Sequence, residues 1–306
     1  MSSNNIWFIG TGQFASLCLA GLVKNNIQLN RIITGLPTRS GRNNRENPSP
    51  VELTASSLGL SVTRTGKLSA NQELIDALDS EQPAIIFVID FGQIIREPFL
   101  SRMCLNIHPS LLPEYRGAAP IQRALLDGKD YTGVSVFRLV QAMDAGGIFG
   151  QTRTGILPGE NASDLYHRLA EMGCEIAAEA VRNLDALTFT PQDDSLATYA
   201  PKLEKAEFEL SFTMTAKKFT DTVRALDMSG GAYTVIRGKR VKIWRALIRE
   251  DITAKTPGQV MRIEGDPIIS CCDDCVELLE VQSEGRNKST GAEWSRGMRL
   301  QCGEFV

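Results

Sequence analysis

Histidine is the rarest functional side chain in this sequence, with two in 306 residues. No apolar run approaches the ~20 residues of a membrane-spanning helix, so the chain is not predicted to cross a bilayer. The opening residues MSSNNIWFIG lack the basic start and long apolar core of a signal peptide, and we expect a cytoplasmic protein. The net charge of −3 argues against bulk nucleic-acid packaging but permits a local basic patch.

Cysteine does not occur in the pattern of a disulfide framework. The seven cysteines are odd in number and scattered, which indicates free thiols in a reducing compartment. The segment CCDDC (271–275) contains a C-x-x-C spacing, but no second pair and no nearby histidine can complete a zinc site. We therefore expect no metal, and cysteines at a turn and a strand edge are the favoured interpretation.

Short apolar runs separated by helical patterns indicate an α/β domain in the first part of the chain. The runs interpreted as buried strands are IWFIG (6–10), RIIT (31–34), AIIFVIDFG (84–92) and CLNIH (104–108). The apolar residues that recur at helical spacing after the first run are Phe14, Leu17, Cys18, Gly21 and Leu22. A strand–helix–strand order predicts parallel strands. We expect residues 1–188 to form a Rossmann-like, doubly wound, mostly parallel sheet.

Two further features complete this α/β domain, and a domain of a different kind follows it. GVSVFRL (133–139) is expected to pair with GQTRTGI (150–156), and Ser163 is expected to cap a long helix. Residues 189–208 lose the α/β rhythm and are interpreted as a linker. After one helix near 215–226, short strands separated by turns predict that residues 209–306 form a small β-barrel of the OB-like kind.

The glycine-rich turn GTGQFA (10–15) partly matches a dinucleotide-binding fingerprint. Gly10 and Gly12 provide the G-x-G, and Ala15 is an allowed third position. No acidic residue ends the second predicted strand, where one would bind the ribose. A plain tight turn is therefore favoured over a nicotinamide site.

Asn106 and His108 are the strongest candidates for chemistry. Residues i and i+2 of a strand face the same side, and these two lie at the carboxyl end of a predicted parallel strand, where α/β sheets bind ligands. Asp144 lies just beyond another strand, in the turn DAGG. The amide and imidazole can donate to a developing oxyanion while the carboxylate sets the state of the imidazole, which favours acyl transfer. No serine or cysteine lies in a nucleophile elbow, so a covalent acyl-enzyme is not expected. A histidine that only completes a strand end is the alternative.

The sequence around these residues resembles the folate-dependent formyltransferase family. The motifs that carry the resemblance are NIHPSLLPEYRGAAPIQRALLDG and TGVSVFRLVQAMDAGGI, with FIGTGQFA, FVIDFGQII and TYAPKLEKAE in support. The extension RGAAPIQRAL and the C-terminal domain resemble the branch that formylates methionyl-tRNA. Three positions depart from the family pattern: DAGG replaces D-T-G-D, DMSGGAY (227–233) replaces an N-P-W-P-G-A-Y-like turn, and Gly12 stands where proline is common.

The resemblance implies a donor, an acceptor and a set of site residues. The donor would be 10-formyltetrahydrofolate, and the acceptor the α-amino group of methionine on initiator tRNA, in translation initiation. The catalytic residues would be Asn106, His108 and Asp144, and the folate would bind beside Ser110, Leu111, Leu112 and Pro113. No metal would be needed, and we expect a monomer.

Two basic segments are candidates for binding tRNA. PTRSGRNNREN (37–47) contains Arg39, Arg42 and Arg45, and the resemblance implies that a loop here reaches the acceptor stem. In RGKRVKIWRALIR (237–249), strand alternation places Arg240 and Lys242 on one face with Trp244. Solvated surfaces are the alternative at both places.

Two other functions compete with this interpretation. An amino-sugar N-formyltransferase would use the same folate donor with a different acceptor. A catalytically inactive tRNA-binding protein would explain the basic segments but not the intact catalytic trio.

Overall fold

The computed structural model describes residues 5–40 and 45–306, which form two compact units. The first unit is formed by the described residues up to Gly117, by Tyr131–Gly155 and by Tyr166–Ala200. The second is formed by Ala118–Asp130, Ile156–Leu165 and Pro201–Val306. Neither unit is one continuous stretch of chain.

The elements of both units are numbered along the chain. The strands are β1 (Ile6–Gly10), β2 (Arg31–Gly35), β3 (Thr38–Ser40), β4 (Arg45–Asn47), β5 (Thr63–Thr65), β6 (Ile85–Ile89), β7 (Cys104–His108), β8 (Arg116–Gly117), β9 (Tyr131–Arg138), β10 (Ile148–Gly155), β11 (Tyr199–Ala200), β12 (Ala232–Ile236), β13 (Lys239–Arg249), β14 (Val260–Arg262), β15 (Ile268–Ser270), β16 (Cys275–Ser283) and β17 (Ser289–Thr290). The helices are α1 (Gln13–Lys24), α2 (Pro50–Ser57), α3 (Gln72–Glu81), α4 (Pro120–Leu126), α5 (Ala162–Arg182), α6 (Ala216–Ala225) and α7 (Gly291–Met298).

The first unit is built on a sheet with the strand order β10-β9-β7-β6-β1-β2-β5. Strands β5, β2, β1, β6 and β7 are parallel; at one edge β9 is antiparallel to β7, and β10 is antiparallel to β9. From β1 the chain first adds β2 and β5 along one direction of the sheet. It later adds β6, β7 and β9 on the other side of β1, so the direction in which strands are added reverses between β1 and β6. This is the predicted Rossmann-like architecture, and the predicted pairing of the β9 and β10 segments is confirmed.

The buried strands form where apolar residues run without interruption. All five residues of β1 and of β6 are buried, as expected for strands covered on both faces. Trp7, Ile9, Ile86 and Val88 pack in one core cluster with the leucines of α3. The apolar face of α1 packs inward at Phe14, Ala15, Cys18, Leu19 and Leu22.

Some elements differ from the sequence prediction. Helix α5 begins at Ala162, and its cap is not Ser163: the Asn161 side chain accepts the Asp164 N–H at 2.9 Å. Asparagine also caps helices well, and the sequence places both residues within one turn. The segment 37–47 was interpreted as a loop, but its ends form the antiparallel pair β3–β4, with Thr38 opposite Asn47.

The segment interpreted as the start of a linker is bonded to the first unit. Ile148 and Thr190 exchange backbone hydrogen bonds at 2.8 Å. The Thr198 hydroxyl accepts the Tyr115 N–H at 2.8 Å, and β11 pairs with β8 in parallel. These bonds hold residues 190–200 beside the turn that follows β7.

The second unit contains the predicted antiparallel β domain. Its sheet has the order β12-β13-β16-β15-β14, and β17 also pairs with β16. Along β13, Val241 and Ile243 are buried while Arg240, Lys242 and Trp244 keep solvent exposure, as the alternation predicted. Helix α6 coincides closely with the predicted helix and is capped by Thr215, which accepts the Lys218 N–H.

Candidate active site

The carboxyl end of β7 presents Asn106 and His108. Their neighbours on β9 are Phe137, opposite Asn106, and Ser135, opposite His108. His108 is only 5% exposed, so its ring is held by protein rather than by water. Both residues lie at the strand end where open α/β sheets bind ligands, as the sequence predicted.

The two nitrogens of His108 face different partners. Nε2 lies 2.8 Å from the carbonyl oxygen of Tyr115, and because a carbonyl only accepts, Nε2 must carry a proton and donate it. Nδ1 lies 3.9 Å from Oδ2 of Asp144. A doubly protonated ring would therefore form an ion pair with Asp144, and a singly protonated ring would present the Nδ1 lone pair on that side.

The Asp144 carboxylate is partly buried and oriented by the backbone. Its Oδ2 accepts the Gly117 N–H at 2.8 Å, and its side chain is 13% exposed. The residue has φ +51°, a conformation that residues other than glycine seldom adopt. His108 and Asp144 are thus brought together in the first unit, with Asp144 on the turn that follows β9 and Asn106 two residues before His108 on β7.

Asn106 has an unsatisfied side chain. Its Oδ1 is buried and finds no hydrogen-bond partner in residues 5–40 and 45–306. Buried polar atoms in native proteins almost always have partners, so an unpaired one two residues before His108 on the same strand is suited to a ligand. Since rotation exchanges the two ends of a carboxamide, this position can offer an acceptor or two N–H donors.

The four residues predicted to bind folate, 110–113, form a turn that hydrogen bonds from neighbouring residues hold in place. The Ser110 hydroxyl donates to Glu114 O at 2.6 Å, and the Leu112 side chain is buried. The Ser135 hydroxyl donates to Ser110 O and accepts the Leu112 N–H, at 2.6 and 3.0 Å. Leu111 and Pro113 remain partly exposed, so they are the members of the group that a ligand can reach.

The backbone N–H groups of the glycine-rich turn after β1 are bonded to an acidic residue. Asp90, which follows β6, accepts the Thr11 and Gly12 N–H groups with its carbonyl and the Phe14 N–H with Oδ2. Burial of this carboxylate raises the pKa of Asp90, although the N–H donors of Phe14 and Ala15 act against the shift. A carboxylate at the start of α1 takes the place that a dinucleotide phosphate would need, which supports the plain-turn interpretation.

The structure places the predicted basic residues in two groups. Arg39 is 61% exposed at its side chain and pairs with Glu46 at 2.9 Å. Arg45 begins β4 opposite Ser40, and Arg42 lies outside the described residues. On the second unit the Arg240 guanidinium lies 4.2 Å from the centre of the Tyr233 ring. Lys242 and Lys288 lie 5.5 and 3.9 Å from the Trp244 ring.

The cysteines form no metal site in the described part of the chain. All seven are free thiols; Cys271 and Cys275 are buried, and Cys272 is exposed. Within residues 5–40 and 45–306, no group of three or more histidine, cysteine, aspartate or glutamate residues could hold a metal ion. In the same ranges, no helix is both long enough and apolar enough to cross a membrane.

Several residues that organise the site were not identified from the sequence. Ser135 and Gln151 hold the Ser110–Pro113 turn, with Gln151 Nε2 donating to Leu112 O at 2.8 Å. Gln192 donates to Asp144 O and Gly146 O at 2.8 and 2.7 Å. A polar serine inside the buried stretch of β9 was the available signal for Ser135. No local pattern marks Gln192, because its role depends on contacts far along the chain.

The chain belongs to the formyl transferase family. The family model for formyl transferase matches residues 4–181, and the model for the formyl transferase C-terminal domain matches residues 202–299. Among curated relatives, the methionyl-tRNA formyltransferase of Bdellovibrio bacteriovorus is 33% identical over 314 residues, covering 99% of both chains. That of Lactobacillus delbrueckii subsp. bulgaricus is 33% identical over 311 residues, covering 99% of this chain and 98% of the relative.

Solved structures share the fold at low sequence identity. HypX from Aquifex aeolicus in complex with tetrahydrofolic acid has a TM-score of 0.67 at 18% identity; the match covers 98% of this chain and 48% of that one. This chain therefore spans about half the length of HypX. WlaRD, a sugar 3N-formyl transferase, has a TM-score of 0.65 at 19% identity, covering 94% of this chain and 100% of that one. The same scaffold thus serves different acceptors, and fold alone does not choose between them.

Proposed function

We propose that this chain transfers the formyl group of 10-formyltetrahydrofolate to the α-amino group of methionyl initiator tRNA. The observation that carries this proposal is the approach of His108 to Asp144, with the unpaired Oδ1 of Asn106 on the same strand as His108, in a chain that is 33% identical, over nearly its full length, to methionyl-tRNA formyltransferases. The resemblance of the motifs around His108 and the RGAAPIQ extension points to the same acceptor.

The folate donor supplies the formyl group, whose carbon is the electrophile. The Asn106 carboxamide, whose Oδ1 is buried and has no partner among the described residues, fits such a ligand, because after rotation its N–H groups can donate to the formyl oxygen as negative charge develops there. The exposed edges of Leu111 and Pro113 offer the donor an apolar contact, while Ser110 and Leu112 keep that turn in place.

His108 stabilises the negative charge on the formyl oxygen, and Asp144 transfers the proton. Since Nε2 donates to Tyr115 O, a hydrogen bond from His108 to the formyl oxygen has to come from Nδ1 of the imidazolium form. Asp144, 3.9 Å from Nδ1, would form an ion pair with that charged ring. Asp144 also accepts the proton that the attacking amine loses and returns it to the departing folate nitrogen. Its Oδ2 already accepts the Gly117 N–H, which leaves Oδ1 with the greater free capacity for that proton.

Two surfaces bind the tRNA in this account. The segment 37–47, with Arg39, Arg42 and Arg45, contacts the acceptor end, where Arg39 exchanges its ion pair with Glu46 for phosphate. On the second unit, Arg240 and Lys242 bind phosphates. The adjacent Tyr233 and Trp244 rings offer faces on which unpaired bases can stack.

Residues 1–188 form the catalytic domain, 189–208 the linker and 209–306 the OB-like domain that binds tRNA. The protein acts as a monomer in the cytoplasm and uses no metal.

Acceptor competition tests the proposal. Purified protein is incubated with 10-formyltetrahydrofolate and equal concentrations of charged initiator tRNA and a nucleotide-linked amino sugar; uncharged tRNA is the control. We expect formyl transfer to the charged tRNA and none to uncharged tRNA, which lacks the amine. Formylation of the sugar alone would favour the amino-sugar N-formyltransferase, and no transfer to either acceptor would favour an inactive tRNA-binding protein.

A further inference from the structure

The turn that carries Asp144 needs support from outside itself. Asp144 has φ +51°, and Gly146 lies so close to the Arg138 carbonyl that an added Cβ would be 1.7 Å from its oxygen. Within the turn, the Ala145 N–H reaches Ala142 O only at 3.4 Å. The Arg138 N–H closes the turn at its ends by donating to Gly147 O at 2.9 Å, but within residues 139–146 no backbone hydrogen bond shorter than that of Ala145 holds Asp144 in its unusual conformation.

Gln192 provides that support with one carboxamide. Its Nε2 donates to Asp144 O at 2.8 Å and to Gly146 O at 2.7 Å, so both hydrogens of one amide bridge the turn. Its Oε1 accepts from Arg116 Nε and Nη2 at 3.1 and 2.8 Å. All four hydrogen-bonding positions point to groups in the first unit.

Arg116 determines which way the carboxamide faces. The arginine is 4% exposed, and a guanidinium has donors only, so the glutamine must turn its oxygen toward Arg116 and its nitrogen toward the two carbonyls. The next residue, Gly117, donates its N–H to the Asp144 carboxylate at 2.8 Å. Two neighbouring residues of β8 thus hold Asp144. Gly117 bonds to its side chain, and Arg116 acts on its backbone through Gln192.

We propose that Gln192, oriented by Arg116, is a positioning residue for Asp144. This inference rests on the catalytic role proposed for Asp144. Gln192 touches neither acceptor nor donor in this account. It keeps the carboxylate facing His108 Nδ1, at 3.9 Å, where Asp144 can pair with the charged ring and accept the proton of the amine.

Gln192→Glu tests the inference with the smallest change in shape. The variant keeps an oxygen for Arg116 but places a second oxygen against the carbonyls of Asp144 and Gly146, where it repels them. We expect kcat to fall roughly ten- to hundredfold, as for a catalytic group displaced by about 1 Å, with KM for the folate donor within about twofold of wild type. Gln141→Glu is the matched control: Gln141 is exposed, and no hydrogen bond of its side chain is found among the described residues. It should leave both constants unchanged.

A double variant with Asp144→Asn distinguishes the positioning role of Gln192 from the catalytic role of Asp144. If Gln192 acts through Asp144, Gln192→Glu should cause no further loss of the single-turnover rate in the Asp144→Asn background. An equal further loss there, or a wild-type rate in Gln192→Glu when Asp144→Asn is impaired, would overturn the inference and leave the proposed function intact. A wild-type rate in Asp144→Asn would remove the catalytic role itself. Should Gln192→Glu unfold, Gln192→Ala in both backgrounds decides by the same comparison.

Discussion

At the scale of single residues, the proposed function depends on two polar side chains of β7. Asn106 keeps a buried amide oxygen unpaired among the described residues, and His108 has its Nε2 bonded to a backbone carbonyl. In the proposed function, the Asn106 carboxamide turns its nitrogen toward the formyl oxygen and His108 donates from Nδ1 as imidazolium; hydrogen-bond donors held at a developing negative charge accelerate acyl transfer.

Replacement of either donor should therefore lower kcat more than it changes binding. We expect Asn106→Ala and His108→Ala each to reduce kcat by roughly 10²–10³, the loss typical of one oxyanion donor. Steady-state formylation kinetics measure this, with circular dichroism to verify the fold. A variant with unchanged kcat would show that its residue takes no part in the chemical step.

At the scale of elements, the start of α1 is held by a side chain from another strand. An added Cβ on Gly12 would lie 1.9 Å from Asp90 Oδ2, so the bare glycine is what allows Asp90 to reach the Phe14 N–H. The helix has no side-chain cap of its own. Asp90 supplies one, and Gly12 and Asp90 form a mutually dependent pair.

This pairing predicts non-additive stability. Gly12→Ala should cost about 1–3 kcal/mol through overpacking, and Asp90→Ala about 1 kcal/mol through loss of the cap. The double variant should cost less than the sum, since the added methyl then has room. Urea unfolding measures all three. Gly92→Ala is the control: an added Cβ there meets nothing within 4 Å, so its effect should stay within about 0.5 kcal/mol. Strict additivity would contradict the pairing.

The hairpin β3–β4 leads to a prediction about salt. Alanine at Arg39, Arg42 and Arg45 should weaken tRNA binding, and each lost phosphate contact should flatten the log–log salt dependence by about one unit. KM for folate should not change. Arg64→Ala is the control, because Arg64 is an exposed arginine of the same unit that pairs with Glu52. If the triple variant keeps the wild-type slope, the hairpin does not contact tRNA.

Elements that arise from local apolar patterns can be predicted from the sequence, whereas those that arise from strand pairing or from contacts between distant residues cannot. Strands β1 and β7 were predicted with the correct bounds because uninterrupted apolar runs end at turn residues, and the Asn106–His108 pair follows from strand alternation. The hairpin β3–β4 was missed because its strands are short and polar, so only pairing reveals them. Gln192 was missed because its partners are 46 and 76 residues away along the chain.

At the scale of the whole molecule, the thiols divide into two classes. Five cysteines are buried, and desolvation raises the pKa of both Cys104 and Cys271 to about 12. Cys272 and Cys302 are exposed. Because the thiolate is the reactive form, burial should make most of these cysteines inert in the folded protein.

Thiol labelling checks this division. At pH 8, native protein should react rapidly with iodoacetamide at Cys272 and Cys302, and protein unfolded in guanidinium should react at all seven cysteines. Mass spectrometry of digested samples assigns the sites. Rapid labelling of Cys18 or Cys104 in native protein would show that the core of the first unit opens readily, against the packing described above.

The most direct test of the whole account is the single-turnover rate of formyl transfer to charged initiator tRNA by wild-type protein and Asp144→Asn. The amide keeps the shape of the carboxylate and can still accept the Gly117 N–H, but it is a far weaker base and cannot form an ion pair with His108. We expect wild-type protein to formylate the methionyl-tRNA and the variant to be slower by roughly 10²–10⁴, the contribution typical of general acid–base catalysis. Equal rates in the two proteins, or no formylation of methionyl-tRNA by wild type, would contradict the account.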